Sequence, residues 1–397
     1  MKVETITERD KVLDRIGELM TRFPDPANAD PIEFLGCQFD LGLAWVHFDE
    51  GFGGLGLSAG HQPEIDRRLH DSGAPASAGD YIGLHQGASA IHAAGTDAQR
   101  QRFLRPIFTG EEHWCQLFSE PGAGSDLAGL ATRAAADGDE WIINGSKVWT
   151  SGAIHARWAI LLARTDPELP KHRGLTFFIC DLHQPGVDIR PLRQADGNAH
   201  FNEVFLTEAR IPDSLRIGDV GQGWGISLAC LNSERDGAGD AFRRPVSHLL
   251  ELWRAWPDRT SPHALALRAN LLRVLVDAMV LDYLILRVRE AQDRGGSTPL
   301  GSVLKVAASE HTQRLSNVVV SLMGPGGQVG FDYDSLESDF ESRLAAVPHM
   351  LVVRSRAMSI EGGTNEIQRN IVGERVLGLP GDVRTDKNVP WREVPRS

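Results

Sequence analysis

The sequence predicts an α+β fold in which helices come first, a β-rich region follows, and long helices return. Short segments rich in β-branched and aromatic residues are confined to about residues 116–222, and apolar residues recur at helical spacing on both sides of them. A chain of 397 residues is also too long for one small core. We therefore expect an N-terminal helical domain over 1–115, a middle β domain over 116–222 and a C-terminal helical domain over 223–397.

Local patterns support the first two regions. The N-terminal segments DKVLDRIGELM and DAQRQRFLRPIF have helical spacing, and the glycine-rich segment EGFGGLGLSAG between them predicts a long connection. In the middle region, turn residues separate four candidate strands: EWIINGSKVWTSGA, WAILLART, GLTFFICDL and FNEVFLTEARIP. The predicted secondary structure therefore changes from helix to strand near residue 116.

The C-terminal region carries two long apolar stripes at helical spacing, which are typical of the seams of a helix bundle. We expect both stripes to be buried, with His311 a packed histidine rather than a ligand. They are formed by Ala269, Leu272, Val276, Met279, Tyr283 and Leu286, and by Leu304, Ala308, His311, Leu315, Val318 and Leu322.

Composition excludes several classes of function. A formal net charge of −12 argues against nucleic acid and against an anionic membrane surface as partners. The cysteines at positions 37, 115, 180 and 230 lack metal-ligand spacing, so we expect reduced thiols and no metal site. The N-terminal segment lacks a signal-peptide core, and no apolar run is long enough to span a membrane. The expected location is the cytoplasm.

Two motifs suggest a ligand site in the middle region. In WCQLFSEPGAGSDLAGLATRA, a strand leads into a turn of small residues that lets a ligand approach the backbone, with Ser119 and Ser125 as polar groups. An ordinary surface turn has the same composition. In NGSKVWTSGA, Trp149 is followed by the hydroxyls of Thr150 and Ser151, a combination that suits a planar heteroaromatic cofactor but also occurs in ordinary strands.

Together with a third block, these motifs resemble the acyl-CoA dehydrogenase family over nearly the whole chain. The blocks QLFSEPGAGSD, INGSKVWTSGA and GGTNEIQRNIVGERVLGLP occur in the family's order. The resemblance implies an N-terminal helical domain, a central β-barrel and a C-terminal four-helix bundle. It also implies FAD as cofactor and an acyl-CoA thioester as substrate, with α,β-dehydrogenation as the reaction.

Site residues can be carried over from the family position by position. The expected cofactor-binding residues are Gln116, Leu117, Phe118, Ser119, Trp149, Thr150, Ser151, Thr364 and Glu366, with the Ser151 hydroxyl near flavin N5. The expected substrate-binding residues are Ser125, Asn232, Ser233, Arg235 and Gly362, the last through its backbone N–H to the thioester carbonyl.

The catalytic base departs from the usual family pattern. In SIEGGTNEIQRN, the family's catalytic carboxylate would stand where this chain has Gly362, and Glu361 lies one position too early. A shift of one residue changes the direction of a side chain, so Glu361 does not inherit the role. Some family members place the base in the segment that corresponds here to CLNSERDGAG, where Glu234 occupies that position. Without the resemblance, Glu234 and Arg235 would read as a solvated ion pair.

Two further departures concern assembly. The family's Arg-x-x-Phe-Gly and Gln-x-x-Gly-Gly motifs reach the FAD of a neighbouring subunit. The corresponding segments here are WPDRTSPHA, with Arg259 as the nearest candidate for the arginine, and SLMGPGGQVG, with Ser321 in place of the glutamine. We expect a homodimer, a homotetramer or a heterotetramer with a homologous subunit.

Three functions stay open at this point: an acyl-CoA dehydrogenase with electron-transfer flavoprotein as acceptor, a flavin oxidase or monooxygenase of the same fold, and a subunit that supports a partner's flavin. Glycine at position 362 leaves room for a branched or bulky acyl chain.

Overall fold

A computed structural model describes residues 7–77, 79–195, 197–231, 247–256, 259–293, 299–325 and 348–395. Contacts divide the chain into two compact units, residues 1–192 with 200–233 and 385–397, and residues 193–199 with 234–384. The first unit begins with five helices: α1 (Glu8–Arg22), α2 (Pro31–Asp40), α3 (Gln62–Asp71), α4 (Ala88–Ala94) and α5 (Asp97–Thr109).

The ends of these helices follow from local sequence. Thr7 and Thr96 cap α1 and α5. The hydroxyl of each threonine accepts a hydrogen bond from the backbone amide three residues later, and the side chain of that later residue accepts one from the backbone amide of the threonine. Gly110 ends α5 with φ +77°, a conformation that costs glycine little. These capping signals lie in the sequence directly beside the helices that they delimit.

The middle of the chain forms an eight-stranded sheet in the order β6-β7-β3-β2-β4-β5-β8, with β1 pairing in parallel with β4. The neighbours β2 and β4 are also parallel, and the remaining pairs are antiparallel. The strands are β1 (Trp114–Leu117), β2 (Arg133–Asp137), β3 (Glu140–Ser151), β4 (Trp158–Arg164), β5 (Leu175–Asp181), β6 (Val187–Pro191), β7 (Phe201–Pro212) and β8 (Arg216–Ile217).

Strand β4 is buried on both faces. Because side chains alternate along a strand, its residues divide between two hydrophobic clusters. Trp158, Ile160 and Leu162 join the cluster that includes α4 and α5, whereas Ala159, Leu161 and Ala163 join the cluster on the other face. This double burial explains why WAILLART reads as an uninterrupted apolar run rather than an alternating one.

The second unit contains five described helices, and α8 is central because it packs against each of the others. They are α6 (Ser247–Arg254), α7 (Pro262–Asp293), α8 (Leu300–Met323), α9 (Pro348–Ala357) and α10 (Asn365–Ile371). The predicted stripe on α8 is buried throughout, His311 included, so that prediction is confirmed. None of the described helices is long and apolar enough to cross a membrane.

The prediction that the other apolar stripe is a buried seam is wrong for this chain. On α7 the residues from Leu272 to Leu286 at that spacing are exposed, with Tyr283 at 69%. The face that packs against its neighbours is a second stripe, which includes Leu271, Val274, Leu281 and Ile285. Helix α7 is apolar on two faces, so periodicity alone could not identify which one packs within the chain.

Candidate active site

The indole of Trp149 projects from an irregularity in β3. Between Lys147 and Thr150 the register with β7 shifts, and two residues of β3 stand opposite one residue of β7. Trp149 lies in this bulge with φ +61°, a left-handed conformation that is a true outlier for a bulky side chain. Trp149 is 59% exposed, and among the described residues its aromatic contact is edge-to-face with Phe201, with ring centres 6.0 Å apart. Strain of this kind, about 1–3 kcal/mol, concentrates at functional sites.

A buried ion pair supports the backbone next to Trp149. The Lys147 ammonium is fully buried and donates to the Glu120 carboxylate at 2.9 Å. It also donates to the carbonyls of Phe118 at 3.0 Å and Leu162 at 2.9 Å. The single side chain of Lys147 therefore joins β3 to the end of β1 and to β4, immediately before the bulge that carries Trp149.

Both oxygens of the Glu120 carboxylate accept hydrogen bonds. Its carboxylate accepts hydrogen bonds from the amides of Ala131 at 2.6 Å and Thr132 at 2.8 Å in addition to Lys147. Burial alone would raise the pKa of Glu120, but the Lys147 cation and the amide donors outweigh it and hold the pKa below its usual value. The carboxyl is thus ionised at neutral pH and stabilises the turn that precedes β2.

Two of the predicted cofactor residues each carry a buried polar group that has no hydrogen-bond partner among the described residues. They are the Thr150 hydroxyl and the Gln116 side-chain nitrogen. Buried polar atoms are nearly always paired, so both groups fit a ligand with polar edges. The exposed ring of Trp149, which precedes Thr150 in the sequence, offers a flat aromatic face that suits a planar heteroaromatic group such as the FAD ring system.

The other predicted cofactor residues of β1 behave differently. The side chains of Leu117 and Phe118 are buried in opposite hydrophobic clusters, so either residue can contact a ligand through its backbone only. Ser119 is half-buried, and its carbonyl accepts the amide of Val148 at 3.0 Å, which ties the strand end to the bulge. Ser151, at the end of β3, is also half-buried.

The predicted substrate residue Ser125 is exposed, in a loop that follows a tight turn. Glu120 and Ala123 exchange two backbone hydrogen bonds of 3.0 Å across this turn. A β-carbon added at Gly122 or Gly124 would meet nothing within 4 Å, so the loop has open space around it. The exposure of Ser125 leaves its hydroxyl accessible to a ligand.

In the second unit, the turn before α10 places two glycines in left-handed conformations. Gly362 has φ +62° and Gly363 has φ +84°, which side chains rarely adopt. The Gly362 carbonyl accepts a hydrogen bond from Gln368 at 2.9 Å. Thr364 caps α10 by accepting the Ile367 amide at 3.2 Å, and Glu366 is exposed in the first helical turn.

The Glu361 carboxylate is held by a cation of the same unit. Its Oε2 lies 2.9 Å from Nη2 of Arg354 on α9. Glu361 therefore has a structural partner within its own unit.

Four predicted residues, Asn232, Ser233, Glu234 and Arg235, lie outside the described residues. Among the described residues, no group of three or more potential ligands is arranged to hold a metal ion. Sequence reasoning missed Lys147 and Glu120. The signal was a lysine at an inward position of the apolar strand NGSKVWT, which requires a buried partner.

Comparisons with known proteins agree with these features. Three family models cover most of the chain: the N-terminal domain of acyl-CoA dehydrogenases matches residues 21–111, the middle domain 115–209 and the C-terminal domain 221–377. The acyl-CoA dehydrogenase IpdE1 of Mycobacterium tuberculosis is 37% identical over 349 residues, which are 86% of each chain. The chain belongs to the acyl-CoA dehydrogenase family.

Solved structures of acyl-CoA dehydrogenases share this fold. The ChsE4-ChsE5 complex from Mycobacterium tuberculosis aligns with a TM-score of 0.68 at 25% identity over 96% of this chain and 100% of that one. A variant of the Tcur3481-Tcur3483 steroid ACAD aligns with a TM-score of 0.71 at 25% identity over 94% and 100%. The predicted order of helical, β and helical regions is confirmed, and the chain is an oxidoreductase of a flavoprotein family.

Proposed function

We propose that this acyl-CoA dehydrogenase binds FAD and removes two hydrogens from the α and β carbons of a branched or bulky acyl-CoA thioester, with Glu234 as the base. The observation that carries the proposal is the turn before α10. Gly362 occupies the family's usual base position, and the neighbouring carboxylate of Glu361 is paired with Arg354 at 2.9 Å. We therefore assign the base to another segment.

FAD binding is supported by the first unit. The exposed ring of Trp149, the unpaired hydroxyl of Thr150 and the half-buried Ser119 and Ser151 would hold the ring system. In the second unit, Thr364 and Glu366 occupy the family's FAD positions. When bound, FAD supplies the acceptor for the hydride that leaves the β carbon.

Residues of this chain remove the α proton and stabilise the charge that develops. Removing the proton from the α carbon needs a carboxylate beside it and a hydrogen-bond donor on the thioester oxygen, where negative charge develops. In this proposal the Glu234 carboxylate takes the α proton, and the backbone N–H of Gly362 donates to the oxygen. The pair of electrons from the α C–H bond then forms the double bond as hydride leaves the β carbon.

The substrate class is inferred from space and from a relative. Glycine at position 362 leaves room where many family members have a carboxylate, and a structure similar to this chain carries the name steroid ACAD. A bulky acyl group, such as one attached to a fused ring system, fits both facts. Turnover fastest on straight medium-chain acyl-CoA would contradict this part of the proposal.

We also propose an oligomer in which the partner is a homologous chain, with electron-transfer flavoprotein as the acceptor. The exposed apolar stripe on α7 is the kind of surface that a partner chain covers. The Ser321 hydroxyl donates to the Asn317 carbonyl of its own helix at 2.7 Å, rather than offering the long amide of the family's glutamine. The ChsE4-ChsE5 structure is itself a complex of two different chains. Full FAD occupancy in a homo-oligomer would overturn the heteromeric version.

The base is tested by two substitutions that differ only in position. Glu234→Gln should retain FAD and substrate binding and lose on the order of 10²–10⁴-fold in the rate of flavin reduction. Glu361→Gln is the matched control, and its rate should change little. Anaerobic stopped-flow on both variants measures this, and the opposite pattern would return the role of base to Glu361.

A further inference from the structure

The last described residues of the chain fold back onto the middle of the first unit. The amide of Trp391 donates to the Leu169 carbonyl at 2.9 Å, and the amide of Arg392 donates to the Pro167 carbonyl at 3.1 Å. We call residues 385–395 the C-terminal strap. These backbone bonds fix the strap along the loop between β4 and β5.

The strap also holds the turn that follows the Ser125 loop. Three successive carbonyls of this turn accept hydrogen bonds from just two side chains. Arg164 donates to Ala128 at 2.6 Å and to Leu130 at 3.1 Å. The carbonyl between them, that of Gly129, accepts the indole N–H of Trp391 at 3.1 Å.

Trp391 and Arg164 depend on each other. The guanidinium carbon of Arg164 lies 4.2 Å from the centre of a Trp391 ring, and the two side chains are 2% and 9% exposed. A buried guanidinium is stable only when its donors are paired and its flat face is covered. The strap supplies the covering ring, so the hold of Arg164 on the turn depends on a residue more than two hundred positions away in the sequence.

A second contact joins the strap to the same loop. The Lys171 ammonium lies 2.9 Å from the carboxylate of Asp126, the residue after Ser125, and 2.5 Å from the carboxylate of Asp386 in the strap. Lys171 is largely buried, and the two carboxylates raise its pKa despite the opposing effect of burial. The chain after Ser125 is therefore held at two places, at Asp126 by Lys171 and at the carbonyls of residues 128–130 by Arg164 and Trp391.

We propose that the C-terminal strap is a positioning element for the acyl-CoA substrate, acting through Trp391 on the loop that carries Ser125. The inference rests on the proposed function, because the contact of Ser125 with acyl-CoA is carried over from the family. The loop itself is exposed and contains Gly122 and Gly124, which have open space around them and add little stiffness. A loop that is ordered before binding costs less conformational entropy when the ligand binds.

The test compares three variants of the full chain with bound FAD. Trp391→Leu removes the ring and the N–H. Trp391→Phe keeps a ring over Arg164 and loses only the bond to the Gly129 carbonyl. The control is Arg392→Ala, on the same strap. It removes an exposed ion pair with Glu168 of the loop between β4 and β5. Coenzyme A is the probe, its Kd is measured by titration calorimetry, and hydrogen exchange reports on the amides of residues 129 and 130.

We expect Trp391→Leu to raise the Kd for coenzyme A roughly tenfold and Trp391→Phe to raise it roughly threefold, with faster exchange at both amides and unchanged FAD content. Arg392→Ala should match the wild type. An unchanged Kd in Trp391→Phe, or faster exchange in Trp391→Leu without weaker binding, would overturn the inference, and the milder variant decides if the leucine variant does not fold. A wild-type chain that binds no coenzyme A would instead contradict the proposed function, and this inference with it.

Discussion

Replacing Lys147 with methionine keeps most of the side-chain volume and deletes the charge. The substitution leaves the Glu120 carboxylate buried without its cation and removes the donor to the carbonyls of Phe118 and Leu162. Breaking a buried pair by removing one partner typically costs about 3–5 kcal/mol. The amides of Ala131 and Thr132 still pair with Glu120, so we expect a loss near the lower end of that range.

Urea titrations followed by tryptophan fluorescence measure this loss as a difference in the free energy of unfolding. Lys11→Met is the matched control, because it makes the same chemical change at an exposed position of α1, and it should stay within about 0.5 kcal/mol of the wild type. Adding Glu120→Gln to Lys147→Met should recover part of the loss, since the unpaired charge is removed. A Lys147→Met chain as stable as the Lys11→Met chain would refute the assigned role of the pair.

Three other predictions follow from the same structure. Trp149→Gly relieves a left-handed conformation but removes the aromatic surface, so thermal stability should change by less than about 1 kcal/mol while FAD retention falls sharply, measured by flavin absorbance after gel filtration. Burial raises the pKa of Cys180 to about 12, so iodoacetamide at neutral pH should label half-buried Cys37 and leave Cys180 unlabelled in mass spectra. The pKa of Glu120 is depressed in the folded state, so its contribution to stability is present above its unfolded pKa and is lost as the pH falls through its folded pKa. Acid titration followed by circular dichroism should therefore show a shallower loss of stability with falling pH in Lys147→Met than in the wild type.

The order of secondary structure was predictable because its signals are local. Caps such as Thr96 and the turn at Gly110 lie next to the helix they delimit, and the strands differ from helices in period. Helix α7 shows the limit of this reasoning. Its exposed and buried stripes are both apolar, and the choice between them depends on which helices pack against it, which is not a local property.

The candidate site was predictable where motifs carry it and not where distant residues complete it. Trp149 and Thr150 follow from one short motif, but the left-handed bulge that exposes the indole depends on pairing with β7. Trp391 gave no signal, because its partners Arg164 and Gly129 lie in other parts of the sequence. The prediction that Glu361 is not the base came from its position alone, whereas its pairing with Arg354 could be seen only in the structure.

The most direct measurement is the visible spectrum of the purified protein, alone and with a co-purified homologous partner, before and after anaerobic addition of acyl-CoA thioesters. The series should contain an acyl-CoA with a fused-ring acyl group, a short branched acyl-CoA and a straight medium-chain acyl-CoA. We expect the absorbance of a bound flavin, and its loss on addition of the bulky or branched thioester. Protein that stays colourless in the presence of FAD, in both preparations, would contradict the account, as would a bound flavin that none of these thioesters reduces.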